Sequence, residues 1–322
     1  MMRKLLIPLA ASTVLAAGAV VPAQAAPQAV GEVQLVSANY LDTSHTVRHA
    51  DGTWQPWGTM PELHYQYADQ LASVMVNGVE HVFVNSEYAH MPPAFSYSHL
   101  IRDAGGNWTS GSVPDSGAIG NGQAVANLNG HIALVRRTGD VLKLSVQQND
   151  NSWSAWETVP TLGPIGSFAV GGNGGVLRVV TTNFDGSMIT DHDRAANGTW
   201  SADTVSFYGT SAPQVAVAQV GTDLHVVAIT SFDAPYTVWH AIRHANGTWD
   251  TFGHVEGETG AIPAVKQVAV TVSRGELQVA AVTTDGGLYH TIRHANGAWD
   301  RFGDVQGAAG KISAGDITIA GE

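Results

Sequence analysis

Side chains able to do chemistry recur at one spot in this sequence. Six positions before Trp54, Trp108, Trp200, Trp249 and Trp299 stand Arg48, Arg102, Arg194, Arg243 and Arg293, while Gln147 takes that place before Trp153. Three positions after the tryptophan a second ring follows in four copies, Trp57, Trp156, Phe252 and Phe302, with Gly111 and Asp203 in the other two. A guanidinium is a planar fork of donors that can bond neighbouring hydroxyls, and an indole face stacks on the apolar C–H face of a sugar ring. The best-kept copies end at Trp54, Trp249 and Trp299, so the candidate carbohydrate-binding residues are Arg48, Trp54, Arg243, Trp249, Arg293 and Trp299. The same residue types also suit packing alone, with the tryptophan wedged between sheets and the arginine bridging to a backbone carbonyl.

Histidines follow the same spacing: His45, His99, His240 and His290 nine before the tryptophan, and His49, His244 and His294 five before it. Two histidines four residues apart on a strand are separated by ~13 Å, too far to share one metal ion. They read as polar-tipped spacers or as donors to ligand hydroxyls; no metal and no cofactor is expected. Catalytic signatures are also missing. Asp51-Gly52-Thr53-Trp54 resembles the end of a sialidase Asp-box without its leading part, no pair of carboxylates stands apart from the repeat as a glycosidase would need, and there is no nucleophile elbow, zinc helix or phosphate loop. Several shallow, similar positions fit multivalent binding better than a single catalytic centre. A non-enzymatic protein is expected, with glycosidase the least favoured alternative.

The elements that position these residues follow from the period. The six tryptophans are 54, 45, 47, 49 and 50 residues apart, the spacing of propeller blades. The last copy resolves into four strands, 266–272, 277–283, 288–294 and 299–305, separated by turn signals such as Asp285-Gly286 and Asn296-Gly297. Such dipeptides are expected to form type I′ hairpin turns with positive φ at both central residues. Residues 32–37 correspond to a second blade strand and 316–320 to a first, so joining them completes blade one. The prediction is an all-β, six-bladed propeller of four-stranded antiparallel blades, closed by the C-terminal strand and occupying residues 26–322 as one domain.

Composition agrees with that reading. With 44% apolar and 13% charged residues the chain can bury a core, and 36 Gly with few charged helix formers disfavour long helices. Residues 1–25 have the charged, apolar and small-residue regions of a secretory signal peptide. Its removal takes away Arg3 and Lys4, leaving 13 basic against 27 acidic residues. Such a balance excludes a phosphate-binding role in nucleic-acid recognition and disfavours anionic membranes. A secreted chain without a single Cys must be held by its core and by closing its sheet edges.

Two stretches break the period, 85–96 in blade two and 231–236 in blade five, both between second and third strands and therefore on one propeller face. Tyr88, Met91, Phe95, Phe232 and Tyr236 there are candidate protein-docking anchors, stiffened by Pro92 and Pro93; folding back over the channel is the alternative. The unit from His290 to Val305 resembles the repeat of bacterial β-propeller lectins, including tectonin-like and fucose-binding members, across nearly the whole chain after residue 25. That resemblance implies non-catalytic binding of cell-surface glycans at blade boundaries. With the signal peptide and same-face insertions, the chain also looks like the lectin component of actinobacterial umbrella toxin particles, which implies docking onto a large secreted toxin protein through 85–96 and 231–236. A protein-interaction scaffold working through its loops alone is the runner-up.

Overall fold

The computed structural model describes residues 31–39, 42–61, 66–88, 94–114, 122–173, 175–207, 212, 214–230 and 236–322. They form six antiparallel four-stranded sheets. Blade one takes its inner strand from Asp316–Gly321 and continues with Val33–Asn39, Asp42–Arg48 and Gly58–Thr59. The inner strand joins in antiparallel register from Val33 opposite Gly321 to Ala38 opposite Asp316, so the expected closure is present. The inner strands of blades two to six are Gln66–Val76, Gln123–Leu128, Ile165–Asn173, Gln214–Val220 and Val265–Ser273, and the last packs back against Asp316–Gly321 to complete the ring.

Each blade boundary holds an apolar cluster, and each cluster receives the tryptophan of the following blade. Trp299 packs on the cluster of Val227, Val268 and Val279, Trp54 on that of Leu35, Leu288 and Ile319, and Trp249 on that of Val180, Val217 and Val226. Trp108, Trp153 and Trp200 close the other three boundaries in the same way. Polar side chains reinforce the ring near its axis. The Gln267 amide accepts from Ile317 N at 2.9 Å, the Gln214 amide accepts from Val268 N at 2.9 Å, and Ser167 Oγ accepts from Val215 N at 3.3 Å. Each of these crosses to the next blade's inner strand, a role the sequence reading missed although Gln70, Gln123, Gln214 and Gln267 recur along it.

Three expectations are corrected. First, the Asn-Gly and Asp-Gly dipeptides ahead of the outer segments are not type I′ turns. At 246–247 only Gly247 has positive φ (88°), its N–H bonds back to His244, and the Asn246 side chain accepts from Thr248 N at 2.9 Å. The side-chain bond supplies the turn, leaving one left-handed position for glycine. Type I′ geometry instead joins inner to second strands, at Asn77-Gly78, Asn129-Gly130 and Arg274-Gly275, where both residues have positive φ. Second, the fourth strand of blade six is only Gly303–Asp304. Trp299 makes an isolated bridge to Arg293, and Val305 opens a short helix, Val305–Ala309, capped by the Asp304 carboxylate and holding Val305 and Ala309 in the core. Third, much of 85–96 is strand: Val79–Tyr88 and Ala94–Arg102 stay paired up to Tyr88 opposite Ala94, consistent with the β-formers there. Phe95 and Tyr88 are strand residues whose side chains, with Met91 and Phe232, lie outside the described part, as does the predicted segment 1–25.

Candidate functional site

Third strands end at the arginines, so all of these lie on one face of the ring, here the arginine face. Connections between second and third strands emerge on the opposite, loop face. Between blades five and six the arginine face opens into a cavity of about 340 Å³ lined by Asp223, His225, Arg293, His294 and Asn296. The Arg293 guanidinium is half-buried, has no hydrogen-bond or ion-pair partner among the described residues, and is pushed below its ordinary pKa by burial, with Asp250 opposing that shift. Asp250 itself accepts from His244 Nε2 at 2.9 Å, while His244 Nδ1 lies 3.2 Å from Asp223. The two carboxylates push His244 up, favouring the protonated ring that bridges them.

The same constellation recurs between blades six and one. Arg48 is half-buried and pushed down by burial, with Asp300, Asp51 and Glu276 opposing the shift, and it too has no hydrogen-bonding or ion-pair partner among the described residues. His294 bridges Asp300 at 2.9 Å and Glu276 at 2.8 Å and is pushed up by them. Between blades one and two Arg102 is likewise unpaired, with His49 held by Glu32 at 2.9 Å, but Gln55 stands where the other two boundaries have Asp250 and Asp300. The four acids were missed from sequence. Their signals were available: Trp-Asp occurs only at 249–250 and 299–300, and an acid opens the second-strand region at Glu32, Asp223 and Glu276.

The structure separates the paired Arg and Trp candidates. Arg293 lines the cavity, while Trp299 turns its edge onto His240 in the boundary beneath, centroids 5.4 Å apart at 82°. Trp54 meets His290, and Trp108 meets His45, in the same edge-on way. Further inward, His225 and His240 are 3.0 Å apart, as are His81 and His99 at 2.9 Å. Burial pushes His225 and His99 down to about 4 and His81 and His290 to about 3, so these rings are neutral.

Arg243 has a different environment. It is 8% exposed, and its Nε lies 3.1 Å from Asp191 and 3.3 Å from Asp203, with a further nitrogen 3.4 Å from Asp193. Arg178 completes the network at 2.7 Å from Asp191 and 3.0 Å from Asp193. Trp249 donates to Asp203 at 2.9 Å. Burial and neighbouring Asp193 push Asp191 up to about 7 against the two guanidiniums. Arg194 is likewise occupied, forming a fork onto Glu157 at 2.9 and 3.2 Å. Of the sequence candidates, Arg48 and Arg293 therefore present free donors, and Arg243 does not.

No family model matches this chain, and a search of curated proteins finds no match. Among solved structures it is similar to Aleuria aurantia lectin, a fungal lectin described as a six-bladed β-propeller with a novel fucose recognition mode (TM-score 0.56, 15% identity, 84% of this chain and 94% of that one). That lectin is also known in complex with α-methyl-L-fucoside. BP39L lectin from Burkholderia pseudomallei (TM-score 0.53, 16% identity, 84% and 83%) and a chain of the nidogen/laminin complex (0.55, 12%, 89% and 98%) are similar as well. At these identities the likeness establishes the six-bladed ring.

Proposed function

We propose that this protein is a carbohydrate-binding protein of the lectin type, taking hydroxyl-rich ligands on the arginine face between blades five and six and between blades six and one. The observation that carries this reading is the pair of half-buried guanidiniums, Arg293 and Arg48, without acceptors among the described residues, each with an aspartate, Asp250 or Asp300, in its field. A sugar diol can accept from the guanidinium and donate to the carboxylate, whereas a purely anionic ligand meets repulsion from that carboxylate. Likeness to fucose-binding propeller lectins supports the reading.

The placement of the acids supports binding without catalysis. Asp191, the one aspartate with a strongly raised pKa, is fully buried between arginines, and Asp250, Asp300, Asp223 and Glu276 are each held by a histidine. Individual sites of this kind are weak, and repetition around one ring supplies avidity. Calorimetric titration with α-methyl-L-fucoside and a glycan array test the proposal. Binding by wild type, lost in an Arg48→Ala/Arg293→Ala double variant and kept in one with an intact arginine, is expected; a double variant binding like wild type, or no glycan bound at high micromolar protein, refutes it. Aryl glycosides are expected to remain unhydrolysed.

The narrower reading is a secreted targeting subunit of an antibacterial toxin complex, docked through 85–96 and 231–236. It is supported by the signal-like segment 1–25 and by Tyr236, 40% exposed beside the second insertion. Pull-down from culture supernatant with and without residues 89–93 tests it: a large secreted partner lost on deletion is expected, and retention of every partner refutes this docking route.

A further inference from the structure

Among the described residues the large exposed apolar side chains are confined to one face. They are Val141, Leu162, Phe184, Met188 and Tyr236, 41%, 65%, 84%, 42% and 40% exposed. Val141 and Met188 begin third strands, Phe184 lies in a second-to-third-strand turn, Tyr236 precedes a third strand, and Leu162 precedes an inner strand. All five positions belong to the loop face, on blades three to five. A tight turn such as 183–187 gains nothing from a phenylalanine held in water.

This tract runs into a cavity of about 380 Å³ between blades four and five, walled by Phe207, Trp239, Trp249 and Phe252. Met188 pairs with Ser206 on its rim, and Phe207 N donates to Ser187 O at 2.7 Å, so the Phe184 turn and the cavity mouth are one surface. Trp239 stands where other blades have Ser44, Ser98, Lys143, Thr190 and Tyr289; the boundary clusters repeat around the ring, and this ring does not. Both indole N–H groups are already used, Trp239 on Thr237 at 3.0 Å and Trp249 on Asp203 at 2.9 Å. The aromatic walls thus offer an incoming group apolar surface and no free indole donor.

Charge selects the occupant. Asp185 adjoins Phe184 and Asp250 lines the cavity, while Asp140, beside Val141, is met by Arg137 at 3.5 Å, and Glu256 on the short helix Glu256–Thr259 is met by His254 at 3.2 Å and accepts from Val238 N at 2.8 Å. The chain as a whole carries −12. A second copy of this face, or an anionic bilayer, would meet like charge. We propose that the loop face of blades three to five docks a partner protein through a basic segment that inserts one large apolar side chain into the cavity between blades four and five. Asp250 belongs both to this cavity and to the surroundings of Arg293, so the two sites adjoin, but the docking reading does not rest on glycan binding.

The test uses the whole chain and three amidated peptides, Lys-Lys-Trp-Lys-Lys, Lys-Lys-Ala-Lys-Lys and Glu-Glu-Trp-Glu-Glu, followed by NMR titration of the protein's indole signals. The first is expected to bind with Kd on the order of 1 mM or tighter and at least about tenfold better than the other two, shifting the Trp239 and Trp249 resonances. Phe184→Ser, at a solvated position that leaves the core intact, is expected to weaken it about threefold, and Trp239→Ser about tenfold. Equal binding of all three peptides, no binding of the first, or an unchanged affinity in Phe184→Ser overturns the proposal. So does a dimer in sedimentation velocity, or co-sedimentation with phosphatidylglycerol vesicles, that Phe184→Ser abolishes.

Discussion

Two boundaries one blade apart treat the same arginine in opposite ways. Between blades five and six, Arg293 faces a cavity with its donors free; between blades four and five, Arg243 is consumed by three aspartates. The strand registers locate the cause. Asp191 and Arg178 occupy in blade four the positions that His240 and His225 occupy in blade five, the first opposite Val180 or Val227 and the second two pairs further along. In blades five and six a histidine pushed down by burial, His240 or His290, holds that place, and the next arginine is left for a ligand. Where a buried carboxylate replaces it, that arginine is drawn in, because a buried charge is tolerated only when paired and hydrogen-bonded.

The largest expected effect comes from breaking the charged network. Arg178→Met leaves Asp191 buried with one guanidinium and should cost about 3–5 kcal/mol in urea unfolding; a cost below about 1 kcal/mol would mean that Arg243 alone suffices. Giving blade four the residues of blade five, Arg178→His and Asp191→His together with Asp193→Ile and Asp203→Phe, should free Arg243 and add a glycan site at that boundary, read as a rise in calorimetric stoichiometry.

Acid comes next. His81, His99, His225 and His290 have folded-state values of about 3 to 4, below the unfolded 6.5. The unfolded chain therefore binds their protons first, and their contribution to stability, full above pH 6.5, is lost as pH falls toward 4. Asp191, raised to about 7, acts in the opposite sense but is one group against four. A loss of about 2 kcal/mol or more between pH 6.5 and 4.5 is expected, and a flat profile would show that these rings are hydrated.

Removing a free arginine should affect binding and leave the fold alone: Arg293→Ala should weaken glycan binding at its own boundary about tenfold, near 1.4 kcal/mol, with an unchanged melting temperature. The smallest effect is expected at Arg194→Ala, where the fork onto Glu157 is partly solvated (side chains 23% and 38% exposed) and contributes about 1 kcal/mol or less. A loss as large as that at Arg178 would erase the distinction between the two kinds of boundary.

Much of this was legible in the sequence, unevenly. Blade count, the four-strand unit and the pairing of 316–320 with 32–37 follow from a fifty-residue period, because each blade buries its faces only against its neighbours. Arg48 and Arg293 could be singled out by spacing, but Arg243 shares that spacing, and its capture depends on Asp191 and Arg178, which meet it only across a boundary. The acids opposite the free arginines were overlooked because Trp-Asp occurs in two copies of six and reads as variation. Turn types were misassigned because an Asn side chain can close a turn that the dipeptide alone suggests the backbone will close.

The strand Asp316–Gly321 also sets a timetable. Residues 38 and 316 are register partners, so the last contact to form spans nearly the whole described chain, and closing so long a loop is entropically slow. Until it forms, five complete blades and three strands of the first exist as an open arc with two unpaired edges. Such an arc stays open to intermolecular strand pairing for as long as closure is delayed. The residues that govern folding speed would then be those of the seam, Val33–Ala38 and Asp316–Gly321, none of which lines the cavity at Arg293 or the one between blades four and five.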